Sequence, residues 1–273
     1  MKGGPKLIPE EQLTKSELDR YHQLEAQLMD LYHAQDRKIR RGFQFDAGPV
    51  IVICPDAPDD ARGPLADEKD INFTKLQKYG DLDALIELYG HLRAENPTLD
   101  VFHRLASEVV SDDLSRHVIL LGGIGWNEVT RRFQSAVSQV PITQKAVPDL
   151  KDGDIFRVET SEGAQDFYPE FDDDGLFIED VGYIARLRNP FKVSRTLTIC
   201  NGIFSRGVFG AVRCLTDASV REENERYLAD RFPKGEFAML LRVPVVANET
   251  LSPDLQNPRA RLYEWSPGPE ARQ

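Results

Sequence analysis

Cysteine, methionine and tryptophan are scarce in this 273-residue chain, at three, three and two residues. Cys54, Cys200 and Cys214 are odd in number, far apart and set in apolar stretches, so they read as reduced core residues of a cytoplasmic protein rather than a disulfide framework. None of the five histidines sits in an H-E-x-x-H run or beside a C-x-x-C pair, which excludes the usual zinc patterns. No apolar run nears the roughly 18 residues of a membrane span, and the opening MKGGPKLIPEEQL lacks the apolar core of a signal peptide. Basic residues are in deficit, 34 against 45 acidic, for a net charge of −11. That balance argues against nucleic acid or an anionic membrane as the main partner. A small anion held by a few local donors is compatible with it. No solenoid-type repeat occurs.

What is present describes a folded α/β protein, 41% hydrophobic and 29% charged. Residues 1–42 predict a helical arm. Its helix opens on the capping box Thr14-Lys-Ser-Glu17, carries an apolar seam at Tyr21, Leu24, Leu28 and Leu31, and closes on Arg37, Lys38, Arg40 and Arg41 before Gly42. The residue 14–41 helix is therefore a candidate contact for a homodimer or a partner protein. Residues 43–265 predict the main domain, and 266–273 a polar tail. Val50–Cys54 and His117–Leu121 are continuous apolar runs of the kind that form buried parallel strands. Helices are expected over 81–96 and 128–138, further strands over 99–105, 196–200, 237–247 and 261–265, and a helix over 208–215. Pro244 suggests an edge or a bulge in its strand. This order is the grammar of a mostly parallel sheet built from βαβ units. Between the two βα units, residues 151–184 hold eleven acids against Lys151 and Arg157 and predict an acidic β-hairpin insertion.

The strongest chemical feature is Leu121-Gly-Gly-Ile-Gly-Trp-Asn-Glu128, where a buried strand meets a helix. Glycines there let a ligand approach the backbone, and the helix start offers N–H groups to an anion. Gly122, Gly123, Gly125, Asn127 and Arg131 are its candidate ligand-binding residues, Asn127 as a helix cap or a ligand contact. A second strand-to-helix turn supplies Asn201, Gly202, Ser205 and Arg206. Neither turn fits G-x-G-x-x-G or the P-loop pattern. Gly202-Ile-Phe-Ser205-Arg-Gly207 has one residue too many for the G-x-S-x-G hydrolase elbow. Candidate catalytic carboxylates are Asp60, in the loop after the first strand, and Glu128, at the helix start. Asp56, Glu179 and Asp180 stand near the same expected edge. Asp172-Asp-Asp-Gly175 lacks the alternating ligands of a calcium loop and reads as a hairpin turn.

The run Gly122-Gly-Ile-Gly-Trp-Asn-Glu128 resembles the P-G-G-x-G-T-x-x-E signature of the lysine-decarboxylase-like phosphoribohydrolases. These belong to a wider Rossmann-like group with deoxyribosyltransferase-like domains and nucleotide sensors of bacterial defence systems. Leu121 stands where that signature has proline, Trp126 where it has threonine, and Val129 at its glutamate, with Glu128 one residue early. The resemblance implies a Rossmann-like sheet with its ligand at the strands' C-terminal edge. It favours nucleotide binding over hydrolysis. The leading expectation is a sensor or regulatory domain for a nucleotide or nucleotide-derived signal, with no obligatory cofactor or metal. A hydrolase or transferase of nucleotide or nucleoside N-glycosidic bonds is the alternative, and a protein-interaction module the third.

Overall fold

The computed structural model describes residues 14–16, 20, 42–147 and 154–268. The chain divides into two compact units, Met1–Arg40 and Arg41–Gln273. In the first, Lys15, Ser16 and Arg20 are helical. The rest of the predicted arm, with its apolar seam and basic end, lies outside the described residues, as do 151–153 and the end of the tail.

The second unit opens with β1 (Val50–Cys54), α1 (Leu82–Glu95), β2 (Val101–Leu105), β3 (His117–Leu121) and α2 (Glu128–Ala136). A separate antiparallel sheet follows, made of β4 (Ile142–Ala146), β5 (Asp154–Thr160) and β6 (Gly163–Phe167). Then come β7 (Glu170–Phe171), β8 (Phe177–Asn189), β9 (Lys192–Gly202), α3 (Ser205–Arg213), α4 (Arg221–Arg231), β10 (Phe237–Val246), β11 (Glu249–Thr250) and β12 (Arg261–Trp265). The main sheet runs β11-β10-β8-β9-β3-β1-β2, with β12 added to β10 and β7 to β8.

The expectation of a mostly parallel, Rossmann-like sheet is overturned. Only β2, β1, β3 and β9 pair in parallel. Strands β8, β10, β11, β12 and β7 are joined antiparallel. The cause is local. β8 reaches β9 through Pro190-Phe191, with Asn189 paired to Lys192. So short a turn can only reverse the chain, whereas parallel neighbours need a crossover of a dozen or more residues. Asn189 anchors the turn: its Oδ1 accepts from Phe191 N–H, and its Nδ2 donates to the Leu114 and Arg116 carbonyls.

The predicted acidic insertion over 151–184 is likewise not one unit. Its first part pairs with β4 in the small sheet, while residues from Phe177 onward become the central strand β8. Asp172 to Leu176 does form a tight turn, with Gly175 at φ +80° and Asp172 Oδ1 accepting from Asp174 and Leu176 N–H. Pro244 is on neither an edge strand nor a β12 bulge. It lies between the β12 and β11 pairings of β10; its carbonyl accepts from Leu251 N–H on that side, so its nitrogen faces a gap in the ladder.

Alternation along the strands splits the core in two. Val50, Val52 and Cys54 face α1, α3 and α4, whereas Ile51 and Ile53 face α2 and the small sheet. Helices α1 and α2 therefore cover opposite faces. From β1 the chain crosses over α1 to β2 on one side, then returns past β1 to β3 on the other. The strand order reverses between β1 and β3, and their C-terminal ends leave a crevice there.

The start of α3 is pressed against the ends of β8 and β9. A Cβ on Gly202 would come within 2.3 Å of Val208 N, and one on Gly207 within 2.6 Å of the Val181 carbonyl oxygen. Both obstacles are backbone, so neither can rotate away. Gly90 in α1 has nothing within 4 Å of the same position. Gly202→Ala is expected to destabilise the fold by about 2–3 kcal/mol, and Gly90→Ala to stabilise it by about 0.5–1 kcal/mol. Urea unfolding of the two variants checks both signs.

Candidate functional site

The crevice between β1 and β3 opens into a cavity of about 410 Å³. Pro55 follows β1, Gly123, Gly125 and Trp126 follow β3, and Gly202 to Ser205 lead from β9 into α3. Gln144 of β4 and Asp154 of β5 form the wall given by the small sheet. Asp81 completes it from the start of α1.

Asp81 is held in an unusual way. It precedes α1 in the left-handed region, φ 52° and ψ 43°, and its side chain makes no capping bond to its own helix. Residues other than glycine adopt that conformation at a cost and cluster at functional sites. Burial raises the Asp81 carboxyl to about 6, and the neighbouring Ser205 side chain offsets part of the rise. Gly122, at φ +80°, is needed beneath it, since a Cβ there would lie 2.7 Å from Asp81 Oδ2. At the other end of the turn, Asp154 accepts from Gln144 Nε2 at 3.1 Å. Burial raises this carboxyl too, and the nearby Arg131 guanidinium partly offsets the rise.

Gln144 ties the two glycine turns together. Its Oε1 accepts from Ile124 N–H at 3.0 Å and from Asn201 Nδ2 at 2.7 Å, and its Nε2 also reaches the Gly202 carbonyl at 3.3 Å. Behind the crevice, the buried Asp180 carboxylate accepts from the N–H groups of Val181, Phe204 and Gly207, the last at 2.6 Å. It therefore occupies the N-terminus of α3. Burial raises Asp180 to about 7, and the Asp81 charge adds to the rise, while the three N–H donors hold it down.

The predicted site residues are only partly brought together. Gly123, Gly125, Gly202 and Ser205 line the cavity. Asn127 is buried and fully engaged: its Oδ1 caps α2 through Val129 and Thr130 N–H, and its Nδ2 donates to the Ile53 and Leu121 carbonyls. Asn201 is buried behind the lining, bound to Gln144 and accepting from Gly202 N–H. Arg131 turns to the Ile124 carbonyl at 2.6 Å, outside the lining. Arg206 lines a smaller neighbouring cavity of about 310 Å³, which shares Asp81 and Ser205, and donates to Asn248 at 2.8 Å. Glu128 is exposed on the first turn of α2, and Asp60 is exposed in the 59–61 3-10 turn; neither lines the cavity. Asp56 caps Ser107, and Glu179 pairs with Arg242.

Asp81, Gln144, Asp154 and Asp180 were not among the predicted residues, although Asp180 was noted near the edge. Asp81 directly after Gly80 reads as an ordinary helix start, and Asp154 as one acid among eleven. Burial leaves the cysteines unreactive: Cys54 is raised well above its usual range and Cys200 is pushed up to about 12. Among the described residues no three His, Cys, Asp or Glu side chains gather as a metal-binding group, and no helix is long and apolar enough to cross a membrane. No family model matches the chain, and no curated protein matches it.

The buried carboxyls link stability to pH. An unfolded aspartate titrates near 3.9, so between about 4 and 7 the folded state holds protons at Asp81 and Asp180 that the unfolded state has released. Their contribution to stability is complete at low pH and is lost as pH rises through 6 and 7. Asp217, held below its usual range by hydrogen bonds from Ser252, Ser219 and Arg213, acts with the opposite sign, but only below about pH 4. Between pH 5 and 8, Asp180→Asn is expected to lose roughly 2 kcal/mol less stability than the unaltered chain. Urea unfolding at the two pH values measures this; parallel losses would mean that Asp180 ionises like an exposed carboxylate.

Proposed function

We propose that the crevice binds the nucleoside portion of a nucleotide or nucleotide-derived signal, and that the chain acts as its sensor. The observation that carries this reading is the pair Asp81 and Asp154, set at the two ends of the Gly122–Gly125 turn in a crevice where the strand order reverses. Carboxylates there accept hydrogen bonds from sugar hydroxyls, as acidic residues do at comparable sheet edges. Trp126 and Phe204 offer aromatic surface for a base. The turn that bears the phosphoribohydrolase-like glycines supplies the backbone floor. The resemblance carried by that turn extends to nucleotide sensors of bacterial defence systems, which is the setting we favour. The three buried thiols support a reducing, cytoplasmic location. Segment 14–41, expected from its sequence to be helical, is the proposed dimer or partner contact.

Cleavage or transfer of an N-glycosidic bond is the second reading, and one observation favours it. A carboxyl at about 6 is poised to exchange a proton near neutrality, and a carboxylate beside an anomeric carbon can serve as base or nucleophile. In that case Asp81 and Asp154 are the carriers, in place of Asp60 and Glu128.

Equilibrium dialysis against nucleosides, nucleoside monophosphates, cyclic nucleotides and NAD, with mass spectrometry of both chambers, tests the two together. Retention of one intact compound, weakened about tenfold or more by Asp81→Asn as expected for loss of a charged hydrogen-bond acceptor, supports sensing. Release of free base makes the chain an enzyme. Equal distribution of every compound would overturn both readings and favour the interaction module.

A further inference from the structure

Glycine turns at helix starts usually cradle phosphate through free N–H groups. Here many of those donors already have partners inside the protein. The first-turn N–H groups of α2, Val129 and Thr130, go to Asn127 Oδ1 at 3.1 and 3.2 Å, and Ile124 N–H goes to Gln144. At α3, Phe204 and Gly207 N–H go to Asp180, whose buried carboxylate sits where a bound anion would otherwise meet the positive end of the helix. Among the described residues lining the cavity, Asp81 and Asp154 carry charge, and none is Lys, Arg or His. The two nearby guanidiniums face elsewhere, Arg131 to the Ile124 carbonyl and Arg206 to Asn248. Trp126 stands at the wall with 47% of its surface open.

We infer that this crevice selects an organic cation, such as a pyridinium nucleoside, and that any phosphate on the ligand projects outside it. Phosphate inside would face two carboxylates, with the Ile124, Val129, Thr130, Phe204 and Gly207 N–H groups already taken. A ring carrying positive charge at its glycosidic nitrogen instead meets an opposite charge at either end of the turn, and the indole face attracts it further. The inference rests on the crevice being the nucleoside site, and it adds the charge of the ligand. The ionisable and charged groups around Asp81 are Asp83 on α1, Asp180 on β8, Cys54 on β1 and Arg206 on α3; Arg131 on α2 neighbours Asp154.

Titration calorimetry of the full chain with four probes tests this. Nicotinamide riboside is a cation, its 1,4-dihydro form is a neutral near-isostere, nicotinamide mononucleotide adds a phosphate, and 1-methylnicotinamide keeps the charge without the sugar. At pH 7.5 the riboside is expected to bind about tenfold or more tighter than its dihydro form, the scale of one opposite charge in a partly buried site, and tighter than the mononucleotide. The preference is expected to shrink at pH 5, where Asp81 takes up a proton, and in Asp81→Asn and Asp154→Asn. The pH series on the unaltered chain carries the test if either variant fails to fold. Equal or tighter binding of the dihydro form, or a gain from the phosphate, overturns the inference and leaves the nucleoside reading standing. If 1-methylnicotinamide binds as well as the riboside, the sugar adds nothing, and the nucleoside reading falls and takes the inference with it. If none of the four binds at millimolar concentration, the inference falls, while the nucleoside reading is decided by the wider dialysis panel.

Discussion

The close approach of α3 to the ends of β8 and β9 governs the rest of this structure. Only glycine fits at 202 and 207, because any side chain there would meet backbone. Gly207 and Val208 are buried against the two strands, and the Phe204 and Gly207 N–H groups at this helix start find an acceptor inside the protein. Asp180 supplies it, at the point where β8 turns its buried face to the helix. That one contact closes the back of the crevice, sets Phe204 and Ser205 into its wall, and puts a carboxylate at the helix end that would attract an anion.

The crevice is consequently a place where carboxyls are held against their preference for water. Asp81 and Asp180 are both raised toward neutrality by burial, and the charge of one opposes ionisation of the other. Desolvation outweighs the hydrogen bonds each receives, since those bonds lower the two groups without restoring ordinary behaviour. A fold keeps such groups at a cost in stability at neutral pH, and sites that tune carboxyls in this way are common where ligands bind or protons move. Asp154 completes the set from the small sheet, so the wall depends on two separate sheets meeting through Gln144.

Much of the parallel half of the sheet was legible beforehand. Val50–Cys54 and His117–Leu121 are apolar on both faces, a composition that few environments other than a covered strand accept. Asn127 was legible as a cap from its place between glycines and an amphipathic helix. In the antiparallel half, the strands over 237–247 and 261–265 were legible too, but β8 and the direction of pairing were not. β8 begins among acids, and its middle, from Asp180 to Ala185, is buried on both faces and shows no alternation. Its aliphatic stretches are hidden by the charge count of 151–184, and the reversal at Pro190-Phe191 turns on a pairing that no local pattern announces.

The carboxyls show where local reading ends. Type and spacing identify turns, caps and buried strands because those follow from backbone sterics and from apolar side chains leaving water within a few residues. The sequence by itself therefore determined the buried β1 and β3 runs, the two glycine turns and the reduced state expected of three isolated cysteines. Asp81 and Asp154 are 73 positions apart, and nothing near either one distinguishes it from the solvated acids around it. Whether a carboxyl is buried, what it accepts, and whether a helix start keeps its N–H groups for a ligand depend on segments distant in the chain. Only the tertiary structure decided these, because desolvation and electrostatic coupling are set by distance in space.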